Sequence, residues 1–564
     1  MIYDSKPWLK SYDPGVSPEI EITDRSLIER FNRVRQQLGK NMAFQFLDIT
    51  MNYETLMKNA DCFARCLADH NLKKGDVVAI NLPNTPQYLI ALIGTLKAGC
   101  VVSGLSPLLT PNEMIYQLND CQAKALVTLD AIFEKRLTEI ADDLPHLKLI
   151  FPTGLLDFLP KYKQVLARWL KRVPYGQVTD LPNKKIIKFK EALYLYPPNA
   201  PNVDIDQSDA CFLQYTGGTT GKPKGAVLTH GNALANIFQF EDWTKMEWGI
   251  DIVCSGFPMF HTAGLTLATI SVCFGCMQII IPDPRDTKRI TRECSRLHPT
   301  FMANVPTLYL LLLQDEDFKK LDFSNLRVCI SGAAPFPVES IKQFEEIIGP
   351  GKMAELYGMT ETGPVQTINP YKGVKKQGSV GLPLQSTCIR IVDLITGTQQ
   401  IPIGKEGEIV VSGPQVMKGY FNKPEETAKT LREHDGRMWM YTGDIGRMDE
   451  DGYLYIVDRA KDMINVGGFK VFSREVEEEI FAHPAVEQCA IIGSVNPKRP
   501  ETELVKLIVQ KSQEYKDKPD EIIKKEILEM ARERLSPYKV PKIIEFLDEI
   551  PLTHVGKVNK KALR

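Results

Sequence analysis

The stretch YTGGTTGKPKGAVLTH, Tyr215 to His230, places four glycines, four threonines and two lysines in sixteen positions. Those types together suit an oxyanion. Glycine lets backbone N–H groups come close, threonine hydroxyls donate hydrogen bonds, and lysine adds charge that no particular fold has to supply. The loop is not a P-loop. G-x-x-x-x-G-K-[ST] ending at Gly221-Lys222 needs glycine where Thr216 stands and a hydroxyl where Pro223 stands. DACFLQY before the loop is apolar enough for a strand, and AVLTH after it resumes one. The loop is therefore expected to join strand to strand, whereas a P-loop leads into a helix. A plain surface turn is the competing account, and the density of Gly, Thr and Lys weighs against it.

Other candidates lie downstream. His261 stands in FPMFHTAG, Gly332 and Ala333 in SGAAP, Tyr357 to Glu361 in YGMTE, and Asp444 in YTGD. Arg459 and Lys461 follow in DRAKD, then Gly467 to Lys470 in GGFKV and Lys557 in PLTHVGKVNKKALR. Taken singly, each has a bland reading: a core tyrosine, a solvated acid, a structural histidine or a basic tail. Cys273 and Cys276 form C-x-x-C inside an apolar run with no second pair or nearby histidine, so they read as core residues.

The elements that must position these residues alternate between helix and strand. Asn52–His70 has helical apolar spacing, Asp76–Pro83 is a buried strand, TPQYLIALIGTLKAG a helix, and CVVSGL the next strand. Such a β-α-β run favours a parallel sheet covered on both faces. The run Gly264–Pro282 contains Gly275 and Gln278 and ends in β-branched residues, which predicts a buried helix followed by a strand rather than a membrane span. Near the C-terminus, GDIGRMDEDGYLYIVDR reads as two strands turning at DEDG. Ser473 is then expected to cap a helix whose Val476 and Ile480 share a face. A domain boundary is placed at 458–461, leaving a small α/β unit to the end of the chain.

At 564 residues the chain is long enough for more than one domain. A net charge of −1 gives no electrostatic reason to expect a nucleic-acid partner. The N-terminal residues lack the apolar stretch of a secretory signal, and twelve scattered cysteines suit reduced thiols, so a cytoplasmic location is expected. Lys161–Lys190 carries nine Lys or Arg against Asp180 alone, with Trp169 and Leu170 interleaved. It reads either as a peripheral contact with an anionic membrane or as a solvated basic helix packed on its own domain.

The ordered set YTGGTTGKPKG, SGAAP, YGMTE, YTGD, DRAKD, GGFKV and a lysine seven residues from the end resembles the acyl-adenylate-forming enzymes. KPWLKSYDPGVSPEI, GPQVMKGYFNKPEET and SPYKVPKIIEFLDEIP resemble in particular the bacterial long-chain fatty-acid–CoA ligases. The resemblance implies an α/β fold. Its large N-terminal domain, 1–457, would hold doubly wound sheets and a distorted β-barrel, with a hinge at 458–461 and a small mobile α+β domain at 462–564. It implies ATP, Mg²⁺ and coenzyme A as reactants and cofactors. Thr216, Gly217, Gly218, Thr219, Thr220, Gly221 and Lys224 would hold phosphates. Thr216 and Glu361 would hold the metal, and Gly332, Ala333, Tyr357, Gly358, Met359 and Thr360 would line the nucleotide. Asp444 would take the ribose and Arg459 the α-phosphate side. His261 would stand by the acyl carboxylate, Lys557 would bridge it to the α-phosphate, Lys461 would be the hinge, and Gly467, Gly468, Phe469 and Lys470 would line the CoA channel. Where some relatives carry a bulky aromatic gate this chain has Leu265, and where they read Gly-Glu it has Pro500-Glu501. Alternatives are a ligase for medium-chain or aromatic acids, a stand-alone acyl-AMP ligase, a luciferase, and an inactive lipid-binding relative. The oligomeric state, monomer or homodimer, is left open.

Overall fold

The computed structural model describes residues 2–169, 173–216, 222–459, 462–466, 469–497, 499, 502–553 and 557–564. Two large sheets form the bulk of the N-terminal domain. In the first, eight strands include Val77–Asn81, Val101–Gly104, Ala125–Leu129 and Leu149–Thr153, all parallel. Towards one edge it adds the antiparallel pair Ala210–Tyr215 and Gly225–Thr229, with Gly419–Tyr420 outermost. The second has nine strands, of which six run parallel: Met42–Phe46, Met277–Ile280, Ile252–Ser255, Phe301–Asn304, Val328–Ser331 and Met353–Gly358. Antiparallel strands flank them: Val365–Ile368 and then Leu382–Pro383 at one edge, Ile49–Asn52 at the other.

The helices that cover these sheets follow from local chemistry. Asn52 caps Tyr53–Asp69 by accepting from Thr55 N, and Thr85 caps Pro86–Lys97, whose first residue is the proline. Every residue of Pro86–Lys97 is buried, so this helix lies between layers rather than on the surface. The apolar run near 264–282 folds as expected into helix Thr262–Cys273 and strand Met277–Ile280, with Cys273 and Cys276 fully buried.

A third sheet, five-stranded and antiparallel, stands where the resemblance implies the barrel. It includes Arg437–Met448 paired with Leu454–Arg459, the two strands read from the DEDG turn. The C-terminal domain has its own apolar core, built from Val476, Ile480, Leu507, Ile523 and Ile527 among others. Its sheet is Val486–Val495, Glu503–Lys511 and Ile543–Leu547, with hairpin Ile464–Val466 and Phe469–Val471 beside it. Among the described residues, no helix is long and apolar enough to cross a membrane.

Candidate active site

The glycine-rich loop spans a hairpin, as the flanking strands predicted. Tyr215 pairs with Gly225, and Thr216 N donates to Lys224 O at 2.9 Å, so both ends of the loop are pinned. Gly217, Gly218, Thr219, Thr220 and Gly221 lie outside the described residues. The Lys224 ammonium sits 2.6 Å from the Glu426 carboxylate and 4.8 Å from the centre of the Tyr420 ring. The Tyr420 hydroxyl in turn donates to Glu361 Oε1 at 2.6 Å. Glu361 is buried in the turn Thr360–Thr362. Burial pushes its carboxyl above the ordinary 4.5, against the pull of Tyr420, Arg459 and Lys224.

Two further groups stand at the carboxyl ends of the parallel strands, where open α/β sheets bind ligands. Gly332 and Ala333 follow strand Val328–Ser331, with Ala333 held in the left-handed region at φ +70°. Tyr357 and Gly358 end strand Met353–Gly358, and any side chain at Gly358 would collide with the Pro364 carbonyl oxygen. Met359 N donates to that same carbonyl at 2.9 Å, and Thr360 follows it in the short turn. The Tyr357 hydroxyl donates to Asp444 Oδ2 at 2.5 Å, and Arg459 lies 3.3 Å from Asp444 Oδ1. Asp444 and Arg459 are cross-strand partners. Burial first, and then the Asp444 charge, keep the Tyr357 hydroxyl protonated.

His261 caps helix Thr262–Cys273, its Nδ1 accepting from Ala263 N at 3.4 Å. That acceptor role requires a neutral ring. Burial, with the Lys557 charge acting in the same direction, lowers its pKa to about 3. Lys557, almost three hundred residues further on, is thus close enough to His261 to act on its charge. It sits in a turn where Thr553 N donates to Lys557 O and Lys557 N donates to Thr553 Oγ1. Leu265 is buried in the same helix as the histidine's cap. Phe469 and Lys470 are instead exposed on the C-terminal hairpin, with the Phe469 ring stacked on Tyr538 at 4.7 Å. Lys461, Gly467, Gly468, Pro500 and Glu501 lie outside the described residues.

One expectation needs correction. Ser473 does not cap its helix: it is the first helical residue, after Phe472, and its buried hydroxyl donates to Asp458 at 3.1 Å. Sequence reasoning also gave no role to Tyr420, Glu426 or Tyr116, whose ring lies 5.3 Å from the Lys222 ammonium. Tyr420 and Glu426 lie in GYFNKPEE, a stretch quoted only for its resemblance, and pairing its phenol with an upstream acid would have needed three-dimensional contact.

Among the described residues, no cluster of three His, Cys, Asp or Glu could cage a metal. The Glu361 carboxylate and Thr216 hydroxyl nonetheless suit a hard cation that arrives with phosphates and takes only one or two protein oxygens.

Two large α/β sheets, an antiparallel third sheet and a small C-terminal domain with its own core are the architecture of adenylate-forming ligases. The chain belongs to the AMP-binding enzyme family: residues 31–421 match the model of the AMP-binding enzyme and 475–557 that of the AMP-binding enzyme C-terminal domain. It is 37% identical, over 99% of its length and 97% of the relative's, to a long-chain-fatty-acid–CoA ligase of Bacillus subtilis. A protein of the same description from Yersinia pestis is also 37% identical, over 99% of this chain and 98% of its own. The crystal structure of ATP-bound MatB from Rhodopseudomonas palustris superposes with a TM-score of 0.82 at 28% identity, covering 95% of this chain and 98% of its own. The apo form of the same MatB, at the same identity and coverage, gives 0.72.

Proposed function

We propose that the protein joins a long-chain fatty acid to coenzyme A through an acyl-AMP intermediate, releasing AMP and pyrophosphate. The observation that carries this reading is the convergence of Tyr357, Asp444 and Arg459 at the end of the second sheet, in a chain 37% identical over 99% of its length to a long-chain-fatty-acid–CoA ligase. The better fit to the ATP-bound than to the apo form of MatB supports the domain arrangement of the former.

The chemistry follows from the charges. A fatty carboxylate must attack the α-phosphorus of a triphosphate, and like-charge repulsion opposes the approach. Lys557, a point charge on a flexible stem, would sit between carboxylate and α-phosphate and offset that repulsion as charge moves from one to the other. The glycine-rich hairpin and Lys224 would take the β- and γ-phosphates, and Lys224 would exchange Glu426 for phosphate. Magnesium, when bound with the nucleotide, supplies charge neutralisation there, and Thr216 and Glu361 are the residues that would hold it. Tyr357 would lie along the adenine, while Gly332, Ala333, Gly358, Met359 and Thr360 leave room for it. Asp444 would turn its acceptor oxygens to the ribose hydroxyls, steadied by Tyr357 and Arg459. His261, neutral because it is buried, adds no competing cation beside the acyl carboxylate.

The thiol of coenzyme A must reach the same carbonyl that Lys557 covers. We assign residues 1–457 and 462–564 to two rigid units with a hinge at 458–461, so that rotation withdraws Lys557 and brings the Gly467–Lys470 loop inward. The exposed position of Phe469 and Lys470 fits the first of these two arrangements. Helix Lys161–Trp169 exposes Tyr162 and Val165 beside its lysines, which supports peripheral contact with an anionic lipid surface. Product analysis across acetate, benzoate, octanoate and palmitate tests the assignment. AMP and pyrophosphate with palmitate preferred is expected. Turnover confined to the short or aromatic acids would overturn the chain-length assignment, and ADP as product would overturn the mechanism.

A further inference from the structure

A group of buried and half-buried charges at the domain junction has no part in the chemistry above. Asp458 lies on strand Leu454–Arg459, paired with Ile445 in the third sheet of the N-terminal domain. Its carboxylate is buried and accepts from Arg459 N at 2.7 Å, from the Ser473 hydroxyl at 3.1 Å, and from Ser473 N. Ser473 and Glu477 belong to helix Ser473–Phe481 of the C-terminal domain. From the end of the chain, the Lys560 ammonium donates to Ser473 Oγ at 2.6 Å and pairs with Glu477 at 2.7 Å. Glu477 also accepts from Ile491 N at 2.7 Å, so each member of the group has a partner.

Three segments therefore meet in one relay: the N-terminal domain's last strand, the first long helix of the C-terminal domain, and the tail. Lys560 lies three residues beyond Lys557, and the intervening Asn559 N is fixed to Pro551 O at 2.8 Å. On the other side, the residue after Asp458 is Arg459, which reaches Asp444 and through it Tyr357. A polar path thus runs from the tail to the nucleotide side of the site. Buried ion pairs are weak stabilisers, since apolar side chains of similar volume commonly do as well, whereas a fully partnered set fixes one geometry over others. Rotation about Lys461 would part Asp458, which is paired with Ile445 in the third sheet, from Ser473, so the relay goes with the arrangement that keeps the tail against the N-terminal domain.

We propose that Lys560 is a positioning residue for adenylate formation: through Ser473 it fastens the tail that carries Lys557 to Asp458, and the thioester-forming step does not need it. This rests on the functional reading above. The test measures the half-reactions separately, as palmitate-dependent exchange between pyrophosphate and ATP and as conversion of supplied palmitoyl-AMP and coenzyme A to thioester. Lys560→Met should lower the exchange kcat ~10- to 100-fold, the range for losing a hydrogen bond to a charged group, with KM for ATP little changed. Thioester formation should stay within about twofold of the unmutated protein. Lys560→Arg, which keeps the charge, should recover most of the loss. Should Lys560→Met leave Glu477 unpaired and the domain unfolded, Lys560→Met with Glu477→Gln removes both charges together. Ser473→Ala, which cuts only the relay, should show the same split at smaller size. Unchanged exchange in these variants, or equal loss of both half-reactions in a folded variant, would overturn the proposal alone. Absence of palmitate-dependent exchange in the unmutated protein would overturn the functional reading, and this proposal with it.

Discussion

Replacing Glu361 by glutamine should move activity and stability in opposite directions. The carboxylate is buried, and its partner, the Tyr420 hydroxyl at 2.6 Å, needs only an acceptor oxygen, which the amide of glutamine retains. What the substitution removes is the negative charge. In catalysis, loss of one preorganised electrostatic contact costs on the order of 10²–10³ in rate, or about 2.7–4 kcal/mol. In folding, the sign reverses. Burial raises the Glu361 pKa above 4.5, so the folded protein binds this proton more readily than the unfolded chain. The stability that goes with it is full below 4.5 and is lost as pH rises. At pH 7–8, Glu361→Gln should therefore unfold no earlier than the unmutated protein, and any advantage should vanish as pH falls towards 4.5. Pyrophosphate–ATP exchange over a range of Mg²⁺ concentrations, with thermal unfolding in the same buffers, reads both. A near-normal rate at limiting Mg²⁺, or a variant clearly less stable at pH 8, would refute the reasoning.

Lys557→Ala should nearly abolish adenylate formation while still converting supplied palmitoyl-AMP to thioester, as separate half-reaction assays would show. His230, buried with its Nδ1 accepting from Leu27 N at 3.3 Å, has a pKa lowered by burial from 6.5 to about 4. The unfolded chain binds that proton first, so stability should fall by about 2 kcal/mol from this group as pH drops from 8 to 5, and denaturant titrations of His230→Gln should lack this component. Neutralising the lysines of Lys161–Lys190 should weaken binding to anionic vesicles, most visibly at low salt, and leave activity on soluble acyl substrates intact. Sedimentation with the vesicles reads that difference.

Much of the site was legible because its signals are local. Apolar runs on either side of the glycine-rich loop announced a hairpin, and the two strands pair there. The run 264–282 resolved into helix and strand through Gly275 and its β-branched end. What escaped depends on contacts between residues far apart in the chain. A serine before an acidic helix reads locally as a cap, yet Ser473 spends its hydroxyl on Asp458, fifteen positions back. Tyr357 was read from its flat ring, but its hydroxyl meets Asp444, 87 residues on, and no periodicity encodes that. Tyr420 and Glu426 carried no signal of their own, because their partners Glu361 and Lys224 are reached only when a distant strand, Gly419–Tyr420, pairs with Gly225–Thr229. The roles given to site residues came from the resemblance, and the geometry then showed which of them meet.

The acyl-adenylate route is tested most directly by the fate of an oxygen atom. Palmitate labelled with ¹⁸O in its carboxylate, supplied with ATP, Mg²⁺ and coenzyme A, should pass one labelled oxygen to AMP. The carboxylate oxygen that attacks the α-phosphorus stays on AMP when the thiol displaces it. Mass spectrometry of the nucleotide should find one ¹⁸O per AMP and none in pyrophosphate. Label in orthophosphate, or AMP formed without label, would contradict the account.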